Sequence, residues 1–206
     1  INAETSIALD NKERLEVLKG TSGLQAGTSA PGGLVDLVVK RPQRRLRNAT
    51  LEWQQGGSTL AAIDVAERFG ADDRLGLRVN AAYERLDPQA RNARGERRLL
   101  ALAADARLGR DTLVEAEVEA SRQQQPSVPG FSLLGDRVPD AQSTDPSLNL
   151  NNQRWSLPVV FDGTTASLRL TQALAEGWRA RAHAMTQRLR SDDRIAFPFG
   201  CSAEGR

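Results

Sequence analysis

Arg14-Leu-Glu-Val-Leu-Lys-Gly20-Thr-Ser-Gly23-Leu-Gln25-Ala-Gly27-Thr-Ser-Ala-Pro-Gly32-Gly33-Leu-Val-Asp-Leu-Val-Val-Lys40-Arg-Pro42 is the stretch on which the fold turns. An apolar strand over Leu15–Leu18 enters a loop carrying Gly20, Gly23, Gly27, Gly32 and Gly33, and a second strand over Leu34–Val39 leaves it. Glycines this dense between two strands imply positive-φ turns or close backbone approach. The loop is no phosphate cradle, because no Gly-Lys-Ser/Thr follows and a strand rather than a helix comes next. Upstream, Ile1–Asn11 reads as a turn or short helix. Downstream, Gln43–Asn48 reads as a basic connector.

Beyond the connector the chain alternates at period 2, the signature of two-faced strands. In Thr59–Phe69 one face carries Ala61, Ile63, Val65 and Phe69, the other Leu60, Asp64 and Arg68. Arg74–Glu84 sets Leu75, Leu77, Val79, Ala81 and Tyr83 against Arg78, Asn80 and Glu84. The same alternation runs through Arg97–Leu108, Thr112–Ser121, Thr164–Thr171 and Trp178–Arg188. Ala101-Leu-Ala-Ala104 has high helix propensity on its own, but the alternation of its neighbours and the glycine turns argue for a strand. Short connections (70–73, 109–111, 175–177) alternate with long ones (87–96, 126–163), as in an up-and-down transmembrane barrel. Segments of ~10 residues suit strands that cross a bilayer at a tilt. Trp53, Phe69, Tyr83 and Trp178 fall near strand ends, where an interfacial girdle sits.

Composition sets outer bounds. The 206 residues carry 28 basic and 26 acidic side chains, nearly balanced and interspersed, so no patch points to nucleic acid. No run of 18 apolar residues forms a membrane helix. The single Cys201 leaves no internal disulfide or multi-cysteine metal site, and any bond it makes is to a cysteine elsewhere. With no initial Met and no signal segment, the chain reads as an internal piece of a longer protein.

Arg14–Pro42 resembles the end of the plug domain in TonB-dependent outer-membrane receptors, most closely the siderophore receptors. The match runs through Glu16-Val-Leu-Lys-Gly20, Ser22-Gly23, Gly27, Pro31-Gly-Gly33 and Lys40-Arg-Pro42, in order and spacing. Leu77-Arg-Val-Asn-Ala-Ala-Tyr-Glu84 is similar to the first barrel strands of the same family. Thr21 stands where the family has Pro, and Ala26 where it has Tyr, which takes away an aromatic ligand contact from this turn. The resemblance implies an all-β protein with residues 1–47 as the C-terminal part of a plug. Residues 48–206 would then be the first seven or so strands of an antiparallel up-and-down barrel. Such a plug stoppers a barrel of about 22 strands, so this chain supplies part of the whole.

The implied function is uptake of a ferric siderophore across the Gram-negative outer membrane, energised through TonB, with no bond chemistry and no covalently bound cofactor. The plug turn (Gly20, Gly23, Gly27, Gly32, Gly33) is structural. Ligand contacts are expected from Gln25 and from Phe131, Arg137, Trp155 and Phe161 in the long loop, where aromatic stacking and arginine pairing suit a chelate. Catalytic residues and a resident metal are not expected. Lone His183 reads as a lumen-facing polar residue, since a metal site needs several ligands. The ladder Glu115, Glu117, Glu119 reads as a charge network against Arg97 and Arg107 of the neighbouring strand. Asp72-Asp73 and Asp192-Asp193 read as solvated strand ends. The alternative is a soluble all-β binding or adhesion module, a sandwich with one solvated face; it would bury the apolar rows.

Overall fold

The computed structural model describes residues 6–20, 31–129, 142, 145–153 and 156–194. Among the described residues, all extended structure falls into two antiparallel sheets. β1 (Lys12–Lys19) and β2 (Gly33–Val39) form a hairpin-like pair. β3 (Leu46–Trp53), β4 (Thr59–Phe69), β5 (Leu75–Leu86), β6 (Gly95–Leu108), β7 (Thr112–Gln125), β8 (Val159–Ala175) and β9 (Trp178–Asp192) form one sheet in strict sequence order. Each strand pairs only with its chain neighbours, the topology of an unclosed barrel wall.

Local sequence accounts for the joins. Gly33 has φ +122, and a Cβ there would lie 2.2 Å from the Leu18 carbonyl oxygen. Only glycine lets β2 start directly across from Lys19. Among the described residues of the entry segment there is no helix, but a turn at Asp10–Asn11 that feeds β1. The connector is shorter than its composition implies: β3 begins at Leu46, so Arg47 and Asn48 are already in the wall. Likewise β8 begins at Val159, and residues 159–163 of the expected loop are strand. Leu99–Leu108, despite its helix propensity, lies inside β6, because its polar and apolar sides match those of β5 and β7 in register.

Burial in this sheet is inverted relative to a soluble protein. On β5 the polar positions Arg78 and Asn80 are 3% and 4% exposed, while Leu75 and Tyr83 are half exposed. Leu51 is 86% exposed. What the sheet buries is mostly small or polar: Ala66, Ala82, Ala101 and Ala103 lie on the inner face with Asp64, Arg78 and Asn80, and Leu99 and Val159 are the large apolar exceptions. The apolar rows are not sandwiched between stacked sheets, as a soluble β-module requires. Tyr83 and Leu75 stand eight residues apart on β5. That is about 26 Å along a strand, the scale of the apolar band of an outer-membrane barrel. Trp53 and Tyr83 mark one edge of the band; Phe69 and Trp178 mark the edge near the short turns.

Candidate functional site: the charged seat of the hairpin

The β1/β2 pair sits against the inner face of β4–β8, and charge holds it there. Asp64 on β4 is the hub. It accepts two hydrogen bonds from Arg78, Nε to Oδ1 at 2.8 Å and Nη2 to Oδ2 at 2.7 Å. Lys40, just after β2, reaches the same carboxylate at 3.1 Å and donates to the Asp10 carbonyl at 2.7 Å. Arg78 also donates to the Arg41 carbonyl at 2.9 Å. Arg68 pairs with Asp105 and donates to the Pro42 carbonyl at 3.2 Å. Arginines of the wall thus grip the backbone of Arg41 and Pro42, the residues at which the chain passes from the hairpin towards the wall.

The acidic ladder completes the seat. Its partners are not Arg97 and Arg107: the register puts Asp105, Ala103 and Ala101 of β6 opposite Glu115, Glu117 and Glu119. Arg107 instead faces Leu113, and Arg97 bonds Asp10 at 2.5 Å and Glu84 at 2.8 Å. The ladder turns to the hairpin. Lys12 pairs with Glu119, which also accepts from Asn11 at 2.7 Å. Arg41 lies 2.8 Å from Glu117 and 3.5 Å from Glu115. Arg169 on β8 approaches Glu115 at 3.7 Å, and Ser167 donates to Glu117 at 2.8 Å. Alanines at 101 and 103 leave the room that the hairpin's long cations need to reach the carboxylates.

Removing so many charges from water is unfavourable unless each finds a partner. Here nearly all do, and the directional bonds fix where the hairpin sits. Between β2 and the wall a cavity of about 540 Å³ remains, lined by Arg41, Asn80, Glu117, Arg169 and His183 among others. Arg41 Nη1 and Asn80 Nδ2 are buried with no hydrogen-bond partner among the described residues. The arrangement holds a polar element inside a polar wall.

Comparison with known proteins fits this geometry. No protein-family model matches the chain. Over 117 residues, 54% of the chain, it is 38% identical to the metal-pseudopaline receptor CntO of Pseudomonas aeruginosa, of which it covers 16%. Over 76 residues it is 34% identical to the ferrichrome receptor FcuA of Yersinia enterocolitica, of which it covers 10%. Over those stretches the chain is similar to receptors named for a metal chelate and for ferrichrome. Among solved structures, the ferric preacinetobactin receptor BauA of Acinetobacter baumannii superposes with TM-score 0.78 at 22% identity, over 89% of this chain and 28% of that one. The closed form of the ferric-catecholate import receptor Fiu of E. coli K12 gives 0.73 at 21% identity, over 89% of this chain and 27% of that one. The fold is therefore that of a receptor's plug end and partial barrel wall. The chain spans about a sixth of the length of the first curated relative and about a quarter of those solved chains.

Phe161 is on β8, not in a loop. It faces inward, opposite Gln123 of β7, beside the end from which the long connection leaves. Gln25, Phe131, Arg137 and Trp155 lie outside the described residues, as do Gly23, Gly27 and Cys201. Gly20 (φ +77), Gly32 and Gly33 bracket the turn. His183 is on the inward face of β9 across from Arg169. Nothing in local spacing sets Asp64, Arg78 and Lys12 apart from other inward charges. The readable signal is alanine at 101 and 103 beside three glutamates, a hollow ringed by acids.

Proposed function

We propose that this chain is the plug end, residues 1–45, and the first wall strands, from Leu46 onward, of an outer-membrane receptor that captures and imports a ferric siderophore. The iron chelate is cargo. The inner-membrane TonB complex supplies the energy that rearranges the plug. The observation that carries the proposal is the hairpin seated by ion pairs on a charged inner wall whose apolar rows face outward. That is how a stoppered pore in a lipid bilayer must be built, since lipid offers no partners for inward charges. The relatives, named for siderophores or metal chelates, support the cargo class. Gln25, Phe131, Arg137, Trp155 and Phe161 are assigned to the chelate, and the inward position of Phe161 near the long connection is consistent with its share in that role.

The test is growth of an iron-starved strain, deleted for its own siderophore receptors and supplied with the complete receptor, on a panel of purified siderophores. Growth restored on one chelate, and lost when the coupling complex is deleted, is expected. Failure on every chelate, with the protein recovered in the soluble fraction, contradicts the proposal and favours the adhesion-type module.

A further inference from the structure

The wall ends that lead into the longer connections carry a second polar cluster, apart from the hairpin's seat. Residues 87–94 join β5 to β6, and residues 126–158 join β7 to β8. Part of the second connection is laid on the first. The Arg91 amide donates to the Ser147 carbonyl at 2.9 Å, and Arg91 Nε donates to Ser147 Oγ at 2.9 Å. The Arg91 carbonyl accepts from Asn149 Nδ2 at 3.0 Å, and Asn92 Nδ2 donates to Asn152 Oδ1 at 2.7 Å. Asn151 Nδ2 ties the same segment back to the Ser127 carbonyl at 3.2 Å. Gln125 Nε2 on β7 donates to the Ala93 carbonyl at 3.0 Å. Asn149 and Asn151 are 4% and 2% exposed, and every other buried polar residue among those described lies in the hairpin's seat. Both amides use both ends: Asn149 Oδ1 accepts from the Asn151 amide, and Asn151 Oδ1 from Ser156 Oγ, each at 2.9 Å. The exposed pair Arg91–Asp145 adds little by itself. The buried amides, whose bonds are directional and shielded from water, fix the contact.

Beside this contact opens a cavity of about 580 Å³, lined by Pro88 from the first connection, Gln125 at the end of β7, Ser127 and Val128 from the second, and Phe161 of β8. Its walls come from both connections, and Gln125 and Ser127 are themselves bonded into the contact. We propose that Asn149 and Asn151 are positioning residues for the cargo. They clasp the two connections into one body and hold this cavity in the shape that takes a ferric chelate against Phe161. Neither asparagine lines the cavity, so each acts through the residues it bonds. A cavity walled by two separate loops is ready for a chelate only part of the time, and the apparent affinity falls by that fraction. The clasp removes the loss before the cargo arrives. The inference rests on the uptake reading, in which Phe161 meets the chelate.

The complete receptor is spin-labelled at two exposed positions, Gln89→Cys and Leu148→Cys, and the distance between the labels is measured in membranes. In unlabelled receptor, uptake of the iron-loaded chelates of the growth panel, ferrichrome and a ferric catecholate among them, is followed over a range of concentrations. A narrow distance is expected with the native clasp and a broad one in Asn149→Ala. Asn149→Ala is expected to raise the half-saturating chelate concentration about tenfold, with the maximal uptake rate unchanged. A disulfide between Arg91→Cys and Ser147→Cys, added to Asn149→Ala, remakes the clasp without the amide. It is expected to restore the native half-saturation when oxidised and to lose it again on reduction. A distance as narrow in Asn149→Ala as in the native clasp overturns the contact. A broadened distance with unchanged half-saturation, or a loss that the oxidised disulfide does not repair, overturns the positioning role. A narrow distance that Asn149→Ala broadens, in a receptor that takes up no chelate, leaves the clasp standing and defeats the uptake reading alone.

Discussion

The two faces of the seven-stranded wall have the same backbone and nearly the same residue spacing, yet they solve opposite problems. Outward, Leu51, Leu100, Leu168 and Trp178 stand exposed. Inward, Asp64, Arg78 and Asn80 are buried beneath the hairpin. A soluble sheet is arranged the other way round. The difference teaches that hydrophobicity here marks the solvent the wall faces, whereas burial marks where the hairpin sits. The inward face of β9 makes the same point, since Arg179, Arg181 and His183 belong to the inner rows yet are exposed where the hairpin does not cover them.

The sharpest way to break the contrast is on the inner face. Asp64→Ala removes the carboxylate shared by Arg78 and Lys40 and leaves a buried guanidinium uncompensated, at a cost of about 3–5 kcal/mol. In the complete receptor the expected readout is a lower urea midpoint, with the hairpin becoming accessible to protease. Asp64→Ala with an unchanged midpoint would mean the seat is ornamental. The outer face answers to the reverse change. Leu102→Arg puts a charge near the middle of the apolar band and is expected to cost about 2–4 kcal/mol, measured by equilibrium folding into lipid vesicles. The same variant losing nothing in vesicles would show that this face does not meet lipid.

Gly76 tests how closely the chain after the hairpin is fitted to the wall. A Cβ there would meet Arg68 Nη1 at 2.6 Å, Pro42 Cβ at 2.7 Å and Asp105 Oδ2 at 2.9 Å. Gly76→Ala is expected to destabilise by about 1–3 kcal/mol, and thermal unfolding in detergent reads the shift. The smallest effect belongs to Arg47–Glu67, an outer-face pair whose arginine side chain is half exposed. Arg47→Ala is expected to change stability by less than about 1 kcal/mol, as judged by the same unfolding assay.

Much of the wall was legible from alternation alone, since period 2 assigns each side chain to a face once one face is known. Thr59–Phe69 carries its strand bounds almost openly, and the outward lean of Leu75, Leu77 and Tyr83 follows from their spacing. Strand ends were less legible. Leu46 and Val159 extend strands into polar text, because pairing with Ala66 and Gln125 continues regardless of composition. Long-range partners were not legible. Glu119 meets Lys12, 107 residues earlier. Only register and the placement of the hairpin bring them together, and neither is written in local spacing. The assignments of Gln25, Phe131, Arg137 and Trp155 rest on sequence and resemblance.

The central claim is that the apolar face of the wall strands meets lipid while the polar face of β4–β8 lies under the hairpin. Spin labels placed singly at residues 99 to 104 of β6, in the complete receptor in membranes, test it through collision with oxygen and with a water-soluble nickel chelate. The account predicts a strict period of two: 100, 102 and 104 open to oxygen, and 99, 101 and 103 shielded from both reagents. A helical period, or outward positions shielded from both as between packed sheets, would contradict it.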